Sequence, residues 1–409
     1  MSETIQLGDE LREEGRFHRQ GLIQWWDQDL LAEAKVLLVG AGALGNEILK
    51  NLALVGVGSV FVADMDHIEH SNLARSVLFR PGDIGRPKAQ VAADRARELF
   101  PDMDVTPFVG NIVYDLGMGV FQWADVVICG LDNREARVAV NRRCLLVGRA
   151  WSDGAIERLD GTVRFFRPGG GACYECTMNE TDWKMLEARR SCTLLSREEM
   201  MAGRTPTTAT PSSIVAGFQC QQVLKHLHGL PVEAGAGLTL AGLCDEMRPV
   251  TYTRREDCTA HESLEQIIAL PQRSDEISLR VMLERARSRL GDEAELELSR
   301  EILHRFECPG CGQKEDVFRS LGQVGEADAP CPECGETRFP LLLHSLGGDE
   351  PFVERTPREL GLPPYDMVMG TTLERTIAFL TEGDRAEVLG GVPLAEPATV
   401  EADNGDENG

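Results

Sequence analysis

The sequence predicts an α/β fold: a mainly parallel sheet covered by helices, extended by antiparallel strands and followed by a smaller α+β unit. Three observations lead there. The apolar run Lys35-Val36-Leu37-Leu38-Val39 stops at the glycine turn Gly40-Ala41-Gly42-Ala43-Leu44-Gly45, as a buried strand feeding a helix does. Helix-like and strand-like stretches then alternate as far as Cys129, which is the rhythm of a parallel sheet. Beyond about residue 262 the patterning changes, and four cysteines cluster between Cys308 and Cys334.

The elements follow in order. Glu47 to Leu54 carries apolar residues at helical spacing, and Val60 to Ala63 is a second buried strand ending at Asp64. A helix over Lys88 to Phe100, a strand near Val105 to Val109 and the strand Asp125 to Cys129 continue the alternation. Gly154 to Phe166 switches to period two, as an antiparallel extension would. A helix over Ser212 to His228 precedes a strand-rich stretch ending at Tyr252. Between them, about residues 185–212, Gly203, Pro206 and Pro211 mark a loop.

The expected domain plan is an N-terminal arm over 1–15, a core unit over 16–262, a small α+β unit over 263–306, a cysteine insert over 307–345 and a strand-rich segment over 346–392. In the α+β unit Ser278 caps a helix that runs to Leu290 and stops at Gly291, with an alternating strand from Ala294 to Leu298 behind it. Asp366 to Phe379 is strand-forming. Residues 393–409, with Glu396, Glu401, Asp403, Asp406 and Glu407, are expected to be disordered.

Composition narrows the functional classes. The 409 residues are 42% hydrophobic, enough for a sizeable core, and contain no apolar run of about 18 residues. With a polar, acidic start and no signal-peptide pattern, a soluble cytoplasmic protein without membrane attachment is expected. A formal charge of -24 repels polyanions and excludes a general nucleic-acid binder. Twelve cysteines, several in CxxC pairs, read as metal ligands in a reducing compartment rather than as a disulfide scaffold.

A strand, a GxGxxG turn and a helix make a phosphate site, because glycines let the backbone approach and the helix N-terminus attracts negative charge. Asp64, about twenty residues on, can accept hydrogen bonds from ribose hydroxyls. Up to this point an NAD-dependent dehydrogenase fits equally well.

The motifs Asp64-Met65-Asp66-His67-Ile68-Glu69-His70-Ser71-Asn72-Leu73-Ala74-Arg75 and Asp83-Ile84-Gly85-Arg86-Pro87-Lys88-Ala89 separate the two readings. With Arg16-Phe17-His18-Arg19-Gln20, Cys129-Gly130-Leu131-Asp132-Asn133 and Ala172-Cys173-Tyr174-Glu175-Cys176-Thr177, they resemble the ubiquitin-activating and ThiF/MoeB adenylating superfamily across residues 16–262. The resemblance implies a Rossmann-like adenylation domain that uses ATP. It places Arg75 and Lys88 on the phosphates with Asn72 beside them, Asp132 on Mg²⁺, Asp64 on the ribose and Asp66 in support. The chemistry agrees: a carboxylate attacking the α-phosphate is already a nucleophile, so charge neutralisation is the harder task. In homodimeric relatives the arginine at the place of Arg19 enters the neighbouring subunit's site, which implies a homodimer. One departure is Ser76, where relatives usually have glutamine.

Cys173, Cys176, Cys258 and His261 together offer three thiolates and one imidazole for Zn²⁺. Cys308-Pro309-Gly310-Cys311-Gly312 and Cys331-Pro332-Glu333-Cys334-Gly335 form a zinc ribbon, the more specific signal. Protein-activating members of the superfamily carry a cysteine-threonine pair where Cys192-Thr193 stands. That implies a thioester on Cys192, with Arg189 and Arg190 favouring the ionised thiol. The large cysteine-bearing domain of many eukaryotic members is absent.

The implied function is activation of a ubiquitin-like protein with a C-terminal glycine and transfer to a conjugating-enzyme-like partner, as in a bacterial activating enzyme with a C-terminal zinc ribbon. Glu262 to Phe306 then resembles a β-grasp docking domain. Adenylation of a sulfur carrier for thiocarboxylate formation and a non-catalytic scaffold subunit are the other readings. The scaffold leaves Arg75, Lys88 and Asp132 unexplained, as does an NAD oxidoreductase.

Overall fold

The computed structural model describes residues 15–191 and 206–390. α1 (Gln28–Glu33) starts at Asp27, whose carboxylate accepts from the N–H groups of Asp29 and Leu30. β1 (Lys35–Val39) runs into the glycine turn and α2 (Ala43–Val55), which Gly56 ends in a left-handed conformation. β2 (Ser59–Ala63), α3 (Lys88–Leu99), β3 (Asp104–Phe108), α4 (Met118–Trp123), β4 (Val126–Cys129) and α5 (Arg134–Leu146) complete the alternation. They are followed by β5 (Ala150–Glu157), β6 (Asp160–Phe166), α6 (Glu180–Ser191), α7 (Ala209–Leu227), β7 (Ala236–Ala241) and β8 (Glu246–Thr251).

These strands form one eight-stranded sheet in the order β3-β2-β1-β4-β5-β6-β7-β8. The first five are parallel and the last three antiparallel. Both faces of β1 are buried: Val36 and Leu38 join the cluster under α2, α3 and α7, whereas Leu37 and Val39 join the cluster on the other side. Hence its unbroken apolar run. The expected period-two stretch from Gly154 to Phe166 contains a turn. β5 is parallel to β4 and buried over its first half, so the antiparallel extension begins only at β6. Of the loop expected over about 185–212, both ends are helical, since α6 continues to Ser191 and α7 begins at Ala209, and residues 192–205 lie outside the described residues.

A second sheet has the order β11-β10-β13-β14-β9, with β12 also paired to β10. Its elements are β9 (Gln266–Leu270), α8 (Leu279–Leu290), β10 (Glu295–Glu307), β11 (Lys314–Ser320), β12 (Phe339–Leu346), β13 (Met367–Thr371), β14 (Thr376–Thr381) and α9 (Arg385–Leu389). Ser278 accepts from Val281 N–H at the start of α8, and Gly291, with a φ of 109°, ends it. β10 reaches far beyond the expected Leu298 and delivers the chain to Cys308, with a register shift between Leu303 and Arg305. A β-grasp would place a hairpin before the helix. Here β9 alone precedes α8, and β13 and β14 lie between β9 and β10.

The two sheets share a core. Phe61, Phe121 and Trp151 of the first unit pack in one cluster with Tyr365, Met367 and Leu380 of the second. Charges fasten the same junction. Asp366 accepts from Met118 N at 2.8 Å, from Ser299 Oγ at 2.6 Å and from Arg300 Nη2 at 2.8 Å. Arg300 also donates to the carbonyls of Val113 and Leu116, and Arg143 donates to those of Ile112 and Val113. Among the described residues, no helix is long and apolar enough to cross a membrane.

Candidate functional site: a nucleotide crevice and two thiol clusters

The crevice opens where the parallel sheet changes direction. β1 and β4 are neighbours whose following helices, α2 and α5, diverge, so their C-terminal ends leave a gap at a topological switch point. Gly40 turns the chain there with a φ of 92°, and a Cβ on it would lie 2.7 Å from the carbonyl oxygen of Gly130. A Cβ on Gly45 would collide with the carbonyl of Gly40. Gly42, by contrast, borders open space, with nothing within 4 Å of where its Cβ would be. The outer glycines therefore close the turn, and the middle one leaves room for a ligand at the start of α2.

Asp64, at the end of β2, is tied to this turn. One carboxylate oxygen accepts from Ala41 N at 2.7 Å and the other from Asp66 N at 2.8 Å. Burial pushes its carboxyl above the usual range, against the pull of Lys88 and the two N–H donors. Lys88 begins α3 and pairs with Asp66 at 2.7 Å. Asn72 is buried, and its Oδ1 accepts from Glu69 N at 2.9 Å. Arg75 donates to Ser71 O at 2.7 Å and makes no ion pair with a described carboxylate. Asp132 is exposed at the end of β4, beside Asn133, which caps α5 by accepting from Ala136 N. Arg19 is exposed on the N-terminal segment and makes no side-chain hydrogen bond with the described residues.

Two supports carry no signal in the sequence. Asn46 is fully buried; its Nδ2 donates to the carbonyls of Ala41 and Gly42, and its Oδ1 accepts from Leu78 N. Beneath the crevice Asp153 is also fully buried and takes both Arg137 and Arg164. Arg137 in turn donates to the carbonyls of Leu131 and Gly154, which fixes the turn that presents Asp132. A lone asparagine or arginine in a helix carries no pattern that marks it as buried. Only the tertiary contacts do.

Residues 15–260 match the ThiF family. The chain belongs to that family. Among relatives of this ThiF chain, the NEDD8-activating enzyme E1 catalytic subunit of Schizosaccharomyces pombe is 40% identical over 151 residues, 36% of this chain and 34% of that protein. The sulfur carrier protein adenylyltransferase of Thermus thermophilus is 36% identical over 169 residues, 39% of this chain and 62% of that one. Both matches span less than two thirds of the relative's length. The structure of Escherichia coli MccB with ATP superposes with a TM-score of 0.51 at 21% identity, covering 62% of this chain and 75% of that chain, a likeness of fold.

The ThiF match ends within the first thiol cluster. Cys173, Cys176, Cys258 and His261 bring their ligand atoms within 4.8 Å of one another. Cys173 Sγ lies 3.8 Å from Cys176 Sγ and 3.7 Å from Cys258 Sγ, and Cys176 Sγ lies 3.2 Å from His261 Nε2. Tetrahedral zinc with Zn–S near 2.3 Å sets neighbouring sulfurs about 3.8 Å apart, so the donor set fits that ion. α5 holds the cluster in place: Asn141 accepts from Tyr174 N, and Arg142 forms a two-pronged pair with Glu175.

The second cluster lies outside the family match. Cys308, Cys311, Cys331 and Cys334 also gather within 4.8 Å. Cys308 and Cys334 are 3.4 Å apart and Cys311 and Cys331 3.6 Å apart. Each knuckle closes with a glycine at positive φ, Gly312 at 72° and Gly335 at 78°, whose N–H returns to the carbonyl of the first cysteine. The set fits zinc as a ribbon between β10 and β12. Cys192, Arg189 and Arg190 lie outside the residues whose side chains are described.

Proposed function

We propose that the chain activates the C-terminal carboxylate of a ubiquitin-like protein by adenylation. What supports the reading is a glycine turn bonded to Asp64, with Lys88 paired to the neighbouring Asp66, in a chain whose Arg75 and Asp132 have no charge partner among the described residues. Such charges suit a polyphosphate, which supplies the counter-charge itself. The carboxylate oxygen of the substrate attacks the α-phosphorus of ATP, the bond to the β-phosphate oxygen breaks, and the products are an acyl-adenylate and pyrophosphate. Arg75 and Lys88 take up the phosphate charge, Asn72 orients it, and Asp64 accepts from the ribose. Mg²⁺ held at Asp132 would shield the leaving pyrophosphate.

In the second half-reaction the Cys192 thiolate attacks the acyl carbon and expels AMP, and the thioester passes to a conjugating-enzyme-like partner. This step rests on the sequence motif. Arg19 completes the site of a second copy in a homodimer, and zinc in both clusters serves structure. The Thermus relative favours a second outcome, in which a sulfur donor takes the place of Cys192 and the product is a thiocarboxylate. Incubation with ATP, Mg²⁺ and the candidate ubiquitin-like protein separates them. Conjugation predicts a thiol-reversible adduct that Cys192→Ala abolishes; an adduct undiminished in that variant, or none in the wild type, contradicts it.

A further inference from the structure

Asn46 stands immediately after the last glycine of the turn, yet its side chain points at neither solvent nor ligand. It is fully buried, and its three hydrogen bonds measure 2.7 Å to Ala41 O, 2.9 Å to Gly42 O and 2.9 Å from Leu78 N. The two carbonyls belong to the glycine turn. The N–H belongs to the segment that carries Arg75, three residues before Leu78. One amide thus joins the glycine turn to the segment that carries Arg75, backbone to backbone.

Among the described residues, no other side-chain hydrogen bond joins the glycine turn to residues 71–78. Among the described residues the Arg75 side chain bonds to Ser71 O, four residues earlier in its own segment, and the Asn72 side chain to Glu69 N and Ser71 Oγ, likewise local. The ribose side keeps a direct tie of its own to the turn, because Asp64 is bonded to Ala41 N and Asp66 N. A neutral amide is also the group the geometry requires. It donates to two carbonyls and accepts from one N–H, a combination that neither a carboxylate nor an aliphatic side chain provides.

We propose that Asn46 is a positioning residue for the phosphates, setting the separation between the glycine turn and the Arg75 segment so that both meet the same ligand. The inference rests on the adenylation reading and deepens it. Losing the amide leaves two buried carbonyls and an N–H without their side-chain partner, and the segments relax apart. Phosphate contacts then fail while the ribose contact at Asp64 survives.

The discriminating experiment is calorimetric titration of the full chain with ATP and, separately, with adenosine. Wild type should bind ATP at least about tenfold more tightly than adenosine. Asn46→Ser should keep its adenosine affinity within about twofold and lose most of the ATP advantage, roughly tenfold or more. Asn46→Asp, equal in size but unable to donate to the carbonyls, should lose as much or more. Unchanged ATP affinity in Asn46→Ser, or equal weakening of both ligands, overturns the positioning role. Should one variant fail to fold, the other is read by the same criterion. If the wild type itself prefers ATP no more than adenosine, the adenylation reading fails, and the proposal with it.

Discussion

The crevice and the junction between the two sheets both contain arginines and acids within one molecule, and they use them oppositely. At the junction Asp366 accepts from Met118, Ser299 and Arg300, and Arg300 and Arg143 spend their remaining donors on carbonyls. At the crevice Arg75 and Asp132 have no charge partner among the described residues, and Lys88 pairs with the exposed Asp66 and acts on the neighbouring Asp64. Buried charge must be satisfied internally. Charge held for a ligand stays accessible and pairs when the ligand arrives. Under the proposed function the junction is structural and the crevice functional, although single residues of the two look alike in sequence.

The contrast is broken most severely at the junction. Asp366→Ala strands Arg300 in the shared core and should cost about 3–5 kcal/mol of stability, measured by urea unfolding. A loss below about 1 kcal/mol would place this pair among surface ion pairs and dissolve the comparison. At the crevice the effects should be reversed in kind. Arg75→Ala and Lys88→Ala should lower the adenylation rate by roughly 10²–10³-fold while the melting temperature stays near wild type. Parallel loss of stability and activity would make these residues structural.

The smallest effect separates the crevice from acids of the second unit by pH. The Asp64 carboxyl is raised by burial, so its ionised form, which under the proposed function accepts from the ribose, is lost as pH falls through that raised pKa. For stability the sign is opposite: a raised carboxyl favours the folded state at low pH, and that contribution fades as pH rises through its folded value. Glu350 is held below its usual range by the N–H groups of Gly347, Glu350 and Gly348, against the effect of its burial, and Glu387 by Arg358 and Arg273. Their stabilisation is present at neutral pH and disappears only as pH falls through the lowered values. Adenosine affinity should therefore weaken on acidification before the melting temperature falls. Simultaneous loss of both would remove Asp64 from the binding role.

How much of this is legible in the sequence depends on whether chemistry or packing sets the residue. β1 and the glycine turn appear there because a doubly buried strand is uniformly apolar and because Gly40 and Gly45 are sterically required. The eight cysteine and histidine ligands appear through spacing, since a metal site needs pairs of donors at short range, and both sets do converge. The full length of β10 is hidden because Ser299 and Arg300 interrupt its apolar alternation, and only Asp366, far along the chain, makes that arginine a core residue. Asn46 and Asp153 are hidden for the same reason. Polar residues read as surface until their buried partners are known.

Pyrophosphate exchange into ATP reports on the adenylation step by itself, before any thiol is involved. With the full chain, Mg²⁺ and a ubiquitin-like protein ending in glycine, labelled pyrophosphate should enter ATP, and the incorporation should vanish in Lys88→Ala and when the protein substrate is left out. Exchange that persists in Lys88→Ala, or its absence from wild type with its cognate substrate, would contradict adenylation at this crevice.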